Sequence, residues 1–279
     1  MARPTFVGIG PPKSATTWLD TVLRQHPDIF LPLDRKEVFY FDRYFDRGQD
    51  WYLSLFEDAG RSRAIGEIST SYITDPEALR RMKEVLPDAR LVCILRHPID
   101  RLVSNYRMYR ENGRTMDNLE TALRSQPTLW ENSAYATLLG NVLTHFDRSQ
   151  IHVGVFEDIF SDNAACNAYL ASLFAHIGVP SERFEPLASE EKVRKTYGKP
   201  KSVWLVKQAK SLRSALRRRD MEGLVSFLAR LGINRDLFLT EEVAPEISED
   251  LRRMLLSNFA DDIRYVEAFL DRPLPAWHK

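Results

Sequence analysis

The chain has 279 residues, of which 44% are hydrophobic and 28% are charged. This composition supports a sizeable core and excludes intrinsic disorder and fibrous repeats. Basic and acidic residues both total 39, so no net charge draws the whole chain to nucleic acid or to an anionic membrane. Cys93 and Cys166 suit neither a disulfide framework nor a cysteine-based zinc site, and we expect both thiols to be reduced and buried.

Short apolar runs typical of buried strands alternate with helical patterns along the chain. Strands are predicted at 5–9, 64–68, 90–95 and 151–156, and helices at 16–25, 76–86, 98–112, 133–147, 162–177 and 248–270. Asp75 is predicted to cap the start of the second helix and Gly178 to end the fifth. The alternation predicts a parallel sheet covered by helices on both faces, in a single α/β domain over residues 1–279.

The start of the chain predicts its cellular location. No apolar run approaches the roughly 18 residues that a membrane span requires, and nothing near Met1 resembles a signal peptide. We therefore expect a cytoplasmic protein.

The first predicted strand runs into a loop and helix start that are rich in anion-binding groups. The sequence there is Gly-Ile-Gly-Pro-Pro-Lys-Ser-Ala-Thr-Thr-Trp over residues 8–18. Backbone N–H groups at a helix N-terminus, with one Lys and three hydroxyl residues, can surround a phosphate. The glycines of a nucleotide Walker A loop are missing, because Val7 and Pro12 stand in their places, and the dinucleotide fingerprint fails at Lys13. The alternatives are an ordinary turn between strand and helix or a phosphate loop of another kind.

A second basic group follows the strand predicted at 90–95. Arg96 stands at the carboxyl end of that strand, where ligands bind in such sheets, and Ser104 follows two turns into the next helix. Together they could hold a second phosphate. A Walker B strand would end in a magnesium-binding Asp instead, whereas Arg96 attracts an anion.

Together, the Pro-Lys-Ser-Ala-Thr-Thr-Trp loop at 12–18 and Arg96 with Ser104 resemble the sulfotransferases that use 3′-phosphoadenosine 5′-phosphosulfate (PAPS). The resemblance extends to Gly-Glu-Ile-Ser-Thr-Ser-Tyr at 66–72, to Phe-Glu-Asp at 156–158 and to Leu-Pro-Ala-Trp at 274–277. It implies a fold similar to P-loop kinases, an enzyme, and PAPS as donor with adenosine 3′,5′-bisphosphate (PAP) as product. The sequence has no metal-ligand motif, so no metal requirement is expected.

The resemblance also implies roles in donor binding. Lys13 would stabilise the leaving oxygen, and Arg96 and Ser104 would hold the 3′-phosphate. Trp18 would lie against adenine, with a core aromatic as the alternative. The 5′ groups would be bound by the loop residues Ser14, Ala15, Thr16 and Thr17, and a late basic loop would close over the donor through Lys195, Tyr197, Gly198, Lys199 and Lys201.

The general base is expected in Lys-Glu-Val-Phe-Tyr-Phe at 36–41, which resembles the Lys-Glu-x-x-Phe-Phe segment of the carbohydrate and tyrosyl-protein branches and their bacterial relatives. There a Glu deprotonates the acceptor, so Glu37 is predicted as the base; the alternative is a surface Glu paired with Lys36. The carbohydrate branch often carries a Lys where this chain has Ile68; Lys36 could substitute for it, and which residue does so is open. Glu67 is left without a role.

The acceptor is predicted to be a small molecule or carbohydrate with a hydroxyl, and no nucleic acid is expected to bind. Its contacts are predicted at Lys36, Phe41, Tyr72 and Tyr106, although core aromatics would give the same pattern.

Eleven basic and no acidic residues lie in 192–219. That stretch predicts a solvated amphipathic helix, the rim of an anionic substrate site, or peripheral membrane contact through 202–219. The rival functions are a nucleotide-dependent kinase and a non-catalytic anion-binding or membrane-binding protein.

Overall fold

The computed structural model describes residues 2–184, 197–200, 202–218, 221, 239–242 and 247–279. Its central sheet has five parallel strands in the order β2-β3-β1-β4-β5. They are β1 Phe6–Gly10, β2 Ile29–Phe30, β3 Ala64–Ile68, β4 Arg90–Leu95 and β5 Ile151–Val155. The parallel α/β fold predicted from the sequence is therefore confirmed, and β2 is an added edge strand too short to show a period.

Helices alternate with these strands along the chain, and most of them lie where the sequence predicts helices. Asp75 caps its helix by accepting from the N–H groups of Glu77 at 3.0 Å and Ala78 at 3.3 Å, and Gly178 ends its helix with φ of 83°. The helices are α1 Thr16–Gln25, α2 Tyr40–Arg43, α3 Gly48–Ser54, α4 Pro76–Val85, α5 Pro98–Glu111, α6 Leu119–Ser125, α7 Thr128–Glu131, α8 Tyr135–Leu143, α9 Phe156–Ile159, α10 Asn163–Ile177, α11 Val203–Arg218, α12 Glu249–Asn258 and α13 Ala260–Leu270.

Two helix predictions are corrected. The single helix predicted at 248–270 is two helices, because the backbone leaves the helical conformation at Phe259. Buried side chains keep helical spacing across that break, so the pattern could not reveal it. The helix predicted from 133 begins at Tyr135, because the buried Ser133 hydroxyl instead donates to the Pro98 carbonyl at 2.9 Å.

The two faces of the central sheet differ in what they carry near the end of β3. Ile68 belongs to the apolar core that α1 and α10 form on one face. Side chains alternate along a strand, so Glu67 projects to the opposite face, in register with Val7 of β1. The Glu67 carboxylate therefore lies on the face of the sheet opposite to the apolar core of α1 and α10.

The chain divides into two compact units, one of Met1–Arg101, Glu131–Glu190 and Met254–Lys279, the other of Leu102–Trp130 and Glu191–Arg253. The five-stranded sheet belongs to the first unit. The second contains α11 and an antiparallel pair, β6 Tyr197–Pro200 with β7 Leu239–Glu242. The single domain over 1–279 stays a prediction. Within the described ranges, no helix is long and apolar enough to cross a membrane.

Candidate active site

The loop between β1 and α1 is tightly bent and lies against the segment after β3. Gly10 has φ of 102°, and a Cβ there would lie 2.3 Å from the Thr70 carbonyl oxygen, so only glycine fits. Lys13 and Ala15 adopt left-handed backbone conformations with φ of 75° and 56°. Ala15 is the N-cap of α1 and has no side-chain oxygen, which leaves the first N–H groups of α1 without a side-chain cap.

Ser14 is the residue of this loop that most clearly lacks a partner. Its side chain is fully buried, and among the described residues its Oγ has no hydrogen-bond partner. An unpaired buried hydroxyl is costly unless something else bonds to it. An anion seated at the start of α1 would provide that acceptor and would also use the helix N–H groups. The loop therefore fits a phosphate or phosphosulfate group.

The segment that carries the predicted base is held at two points, one in α1 and one after β3. Lys36 Nζ donates to Thr17 Oγ1 at 2.9 Å, in the first turn of α1. Glu37 Oε1 accepts from Thr70 Oγ1 at 2.8 Å, and Thr70 is the residue whose carbonyl faces Gly10. The structure thus brings Lys36 and Glu37 beside the phosphate loop, as a transferase that joins donor and acceptor requires.

A buried carboxylate, Glu67, lies behind this segment. Its Oε1 accepts from Tyr52 OH at 2.8 Å and its Oε2 from Ser69 Oγ at 2.8 Å, while Tyr72 OH is 3.2 Å from both oxygens. The side chain is fully buried, and burial raises its pKa to about 7, against the opposing effect of the three hydroxyl donors. Glu67 is therefore enclosed by the protein and does not face an acceptor.

The Ser69 and Tyr72 hydroxyls also bond to the backbone of residues 36–41, the base segment. Ser69 Oγ accepts from the N–H groups of Val38 at 3.2 Å and Phe39 at 3.0 Å, and Tyr72 OH accepts from that of Phe41 at 3.4 Å. Phe39 needs this support because its φ of 55° is left-handed, which is strained for a residue with a side chain. The sequence singled out Ser69 only as part of a motif, and Tyr72 as an acceptor contact.

Arg96 follows β4, as predicted, and it contacts residues that the sequence did not link to it. Its guanidinium lies 4.6 Å from the centre of the Phe156 ring, and its buried Nε has no hydrogen-bond partner in the described part of the chain. Tyr135 OH accepts from the Arg96 N–H at 3.3 Å and donates to its carbonyl at 2.6 Å. Nothing in the sequence marked Tyr135 for this contact.

Glu157 and Trp277, both noted as parts of the resemblance, support the same turn. Glu157 Oε1 accepts from the His97 N–H at 2.9 Å, and its Oε2 accepts from Trp277 Nε1 at 2.9 Å. Burial raises the pKa of Glu157. The two residues therefore fix the backbone directly after Arg96.

Four other residues that were predicted to contact the donor or the acceptor are partly or fully buried. Trp18 packs edge-on against Phe160, with ring centres 4.9 Å apart, and so joins the edge of the core while remaining half-buried. The rings of Phe41, Tyr72 and Tyr106 are fully buried, and Tyr106 OH donates to the Asp117 carbonyl at 2.8 Å. Burial assigns these three a packing role, and their contact with an acceptor stays a prediction.

The remaining donor residues fall elsewhere in the chain. Ser104 lies in α5 and is buried, within the second unit, so its pairing with Arg96 stays a prediction. Tyr197, Gly198 and Lys199 lie on β6, which corrects the prediction of a loop there. Lys195 and Lys201 lie outside the described residues. In the described ranges, no three His, Cys, Asp or Glu side chains cluster as metal ligands would.

A family model described as "Sulfotransferase family" matches residues 69–183. A solved sulfotransferase from Alicyclobacillus acidocaldarius resembles this chain over 100% of both chains, with a TM-score of 0.70 and 25% identity. The chain thus resembles sulfotransferases both in this segment and over its whole length. These matches support the resemblance, and with it the class of enzyme, that the loop at 12–18 and Arg96 indicated. The structural likeness also covers the phosphate loop and Glu37, which precede the matched residues 69–183.

Curated sulfotransferases match shorter segments. The "Membrane-associated sulfotransferase kil1" of Dictyostelium discoideum is 38% identical over 109 residues, which are 38% of this chain and 23% of the relative. The human "Heparan sulfate glucosamine 3-O-sulfotransferase 6" is 34% identical over 103 residues, which are 37% of this chain and 30% of the relative. The matches therefore span less than a third of either relative's length.

Proposed function

We propose that this protein transfers the sulfuryl group of PAPS to an acceptor hydroxyl, with Lys13 at the leaving oxygen and Glu37 as general base. The observation that carries the proposal is a pair of contacts of the base segment: Lys36 bonds to Thr17 in the first turn of α1, and Glu37 bonds to Thr70, whose carbonyl faces Gly10 of the phosphate loop. They bring a carboxylate that can take a proton next to a loop suited to a phosphosulfate.

The donor half of the site supports PAPS through Ser14 Oγ and Arg96 Nε, which have no hydrogen-bond partner among the described residues. Ser14, Thr16, Thr17 and the first N–H groups of α1 would hold the 5′-phosphosulfate, and Arg96 with Ser104 the 3′-phosphate. Trp18, half-buried at the edge of the core, would offer its remaining ring surface to adenine. Lys195, Tyr197, Gly198, Lys199 and Lys201 are proposed to complete the donor site.

The proposed transfer is an in-line displacement at the sulfur atom. The S–O bond to the donor's phosphate breaks as the acceptor oxygen bonds to sulfur, and the acceptor proton passes to the Glu37 carboxylate. The Lys13 ammonium stabilises the negative charge that develops on the departing phosphate oxygen. Lys36 is proposed as the second cation, in place of the Lys that relatives carry where this chain has the buried Ile68.

A carbohydrate acceptor is proposed on the strength of the relatives, one of which is named for heparan sulfate glucosamine. A hydroxyl on a lipid or another natural product would suit the same base. A cytoplasmic location, the absence of a metal requirement and membrane contact through 202–219 stay predictions.

Calorimetric titration with PAP, beside ADP and ATP with and without magnesium, tests the donor. We expect micromolar, metal-independent binding that requires the 3′-phosphate. Lys13→Ala should weaken it, while Lys83→Ala, a lysine on α4 that donates to the Pro87 carbonyl, should not. A preference for ATP with magnesium would instead indicate a kinase, and binding of none of the ligands would favour a non-catalytic protein.

A further inference from the structure

The Ser69 hydroxyl uses all of its hydrogen-bonding capacity between the buried carboxylate and the base segment. A serine hydroxyl has one proton to donate and two lone pairs to accept with. Its proton goes to Glu67 Oε2 at 2.8 Å, and both lone pairs face backbone N–H groups, those of Val38 and Phe39. The direction of the hydroxyl is therefore set by an acceptor on one side and two donors on the other.

Glu67 is suited to be that acceptor because three hydroxyl groups converge on its two oxygens. Tyr72 OH also accepts from the Phe41 N–H, so its proton is free to point at Glu67. Tyr52 OH provides the third donor. A carboxylate can accept from all three, whereas an amide of the same shape would turn two N–H donors toward hydroxyl donors. The cluster thus requires a carboxyl group at this position.

Ser69 and Thr70 are neighbours in sequence, and each holds a different part of the same short segment. Ser69 binds the backbone directly after Glu37, and Thr70 Oγ1 donates to the Glu37 carboxylate at 2.8 Å. We propose that Glu67 and Ser69 are positioning residues for the general base: Glu67 orients the Ser69 hydroxyl, which fixes the backbone that carries Glu37. This inference rests on the proposed role of Glu37.

Two single variants separate positioning from ordinary packing. Ser69→Ala removes the contact to the base segment and should lower kcat on the order of 10-fold or more, with the Kd for PAP unchanged, because misplacing a reactive group by about 1 Å can cost 10²-fold. Tyr52→Phe removes another hydroxyl from Glu67, but its ring stays stacked on Tyr40, 4.4 Å between centres, and it has no bond to Val38 or Phe39. It should lower kcat less than about 3-fold.

A double-variant cycle with Glu37→Gln distinguishes failure of this inference from failure of the proposed base. If Ser69 acts through Glu37, Ser69→Ala should lower kcat little further in the Glu37→Gln background. Full activity of Glu37→Gln would overturn the base itself. An inactive Glu37→Gln with a normal Ser69→Ala, or fully additive losses, would overturn the positioning role alone.

Hydrogen exchange gives a readout that does not depend on activity or on the acceptor. In folded Ser69→Ala, the Val38 and Phe39 amides should exchange faster than in the unmodified protein, while the amides of α1 keep their protection. Unchanged exchange at both amides would contradict the proposal. If Ser69→Ala does not fold, Ser69→Thr, which keeps the hydroxyl, should preserve both the protection and kcat, and a loss of both there would also contradict it.

Discussion

The phosphate loop and the cluster around Glu67 both adjoin the base segment, but they use their polar groups in opposite ways. Among the described residues, Ser14 of the loop is buried without a partner, and the first N–H groups of α1 have no side-chain cap. In the cluster, each of the Tyr52, Ser69 and Tyr72 hydroxyls already donates to the Glu67 carboxylate.

We interpret this difference as follows: the loop is suited to bind a ligand, and the cluster is suited to support the backbone around it. Buried polar groups without partners lower the stability of the free protein and are retained where a ligand completes them. Groups that already bond to one another have nothing left to offer a ligand, but they hold the surrounding chain in place. Changes in the loop should therefore affect ligand binding more than stability, and changes in the cluster should affect stability and geometry.

The largest expected effect is on the pH dependence of stability, through Glu67. Its folded-state pKa of about 7 lies above the value of 4.5 for an unburied Glu, so the folded state binds more protons between these two values. The free energy of unfolding should therefore fall as pH rises from about 5 to 8, by roughly 2 to 3 kcal/mol from this residue.

Urea unfolding of the unmodified protein and Glu67→Gln over that range measures this effect. Other buried acids contribute equally to both proteins, so the difference between the two curves isolates Glu67. Parallel curves would show that the cluster does not hold a carboxyl group with a raised pKa.

Glu37→Gln, at the junction of the two regions, should lower kcat about 10²-fold or more while leaving the Kd for PAP unchanged. The amide keeps the shape and can still accept from Thr70, but it cannot take the acceptor proton. Steady-state assays with a sulfuryl acceptor give kcat, and Glu57→Gln, an exposed glutamate, is the control. A near-normal kcat would remove Glu37 from the mechanism.

Arg96→Ala should act on the donor side and weaken PAP binding about 10-fold to 100-fold, the range for losing a charge-assisted hydrogen bond. ADP, which lacks the 3′-phosphate, should bind the variant and the unmodified protein equally. Calorimetry with both ligands makes the comparison. An equal loss for ADP would mean that Arg96 contacts another part of the ligand.

The smallest effect is expected for Ser14→Ala. This variant should also differ most clearly from variants of the cluster around Glu67. Removing a buried hydroxyl that has no partner should leave Tm unchanged or raise it, whereas PAP binding should weaken by about 10-fold or less. Thermal unfolding without ligand, followed by calorimetry, tests both parts. A lower Tm without ligand would show that the hydroxyl already has a structural partner.

The sequence predicted the fold best where apolar periods are uninterrupted. β3 and β4 and the helix α1 lie at the predicted residues because each is a short, regular pattern bounded by a turn or a cap. Phe259 shows the limit of this reasoning, since a break that preserves helical spacing leaves no trace in the pattern. Ser133 shows a second limit, because its hydroxyl bonds to the Pro98 carbonyl, which is distant in the sequence.

For the site, the sequence determined the residues that a motif presents in consecutive order: Lys13 to Trp18, Glu37 and Arg96. Their chemistry follows from residue type and from their positions beside a strand end or helix start. The tertiary structure decided which of these residues are held together, through Thr70 between Gly10 and Glu37 and through Lys36 at Thr17. It also decided that Glu67 is enclosed and is linked through Ser69 to the segment that carries Glu37. Hydrogen bonds between segments about 30 residues apart have directions that only the folded chain fixes, and no local pattern encodes them.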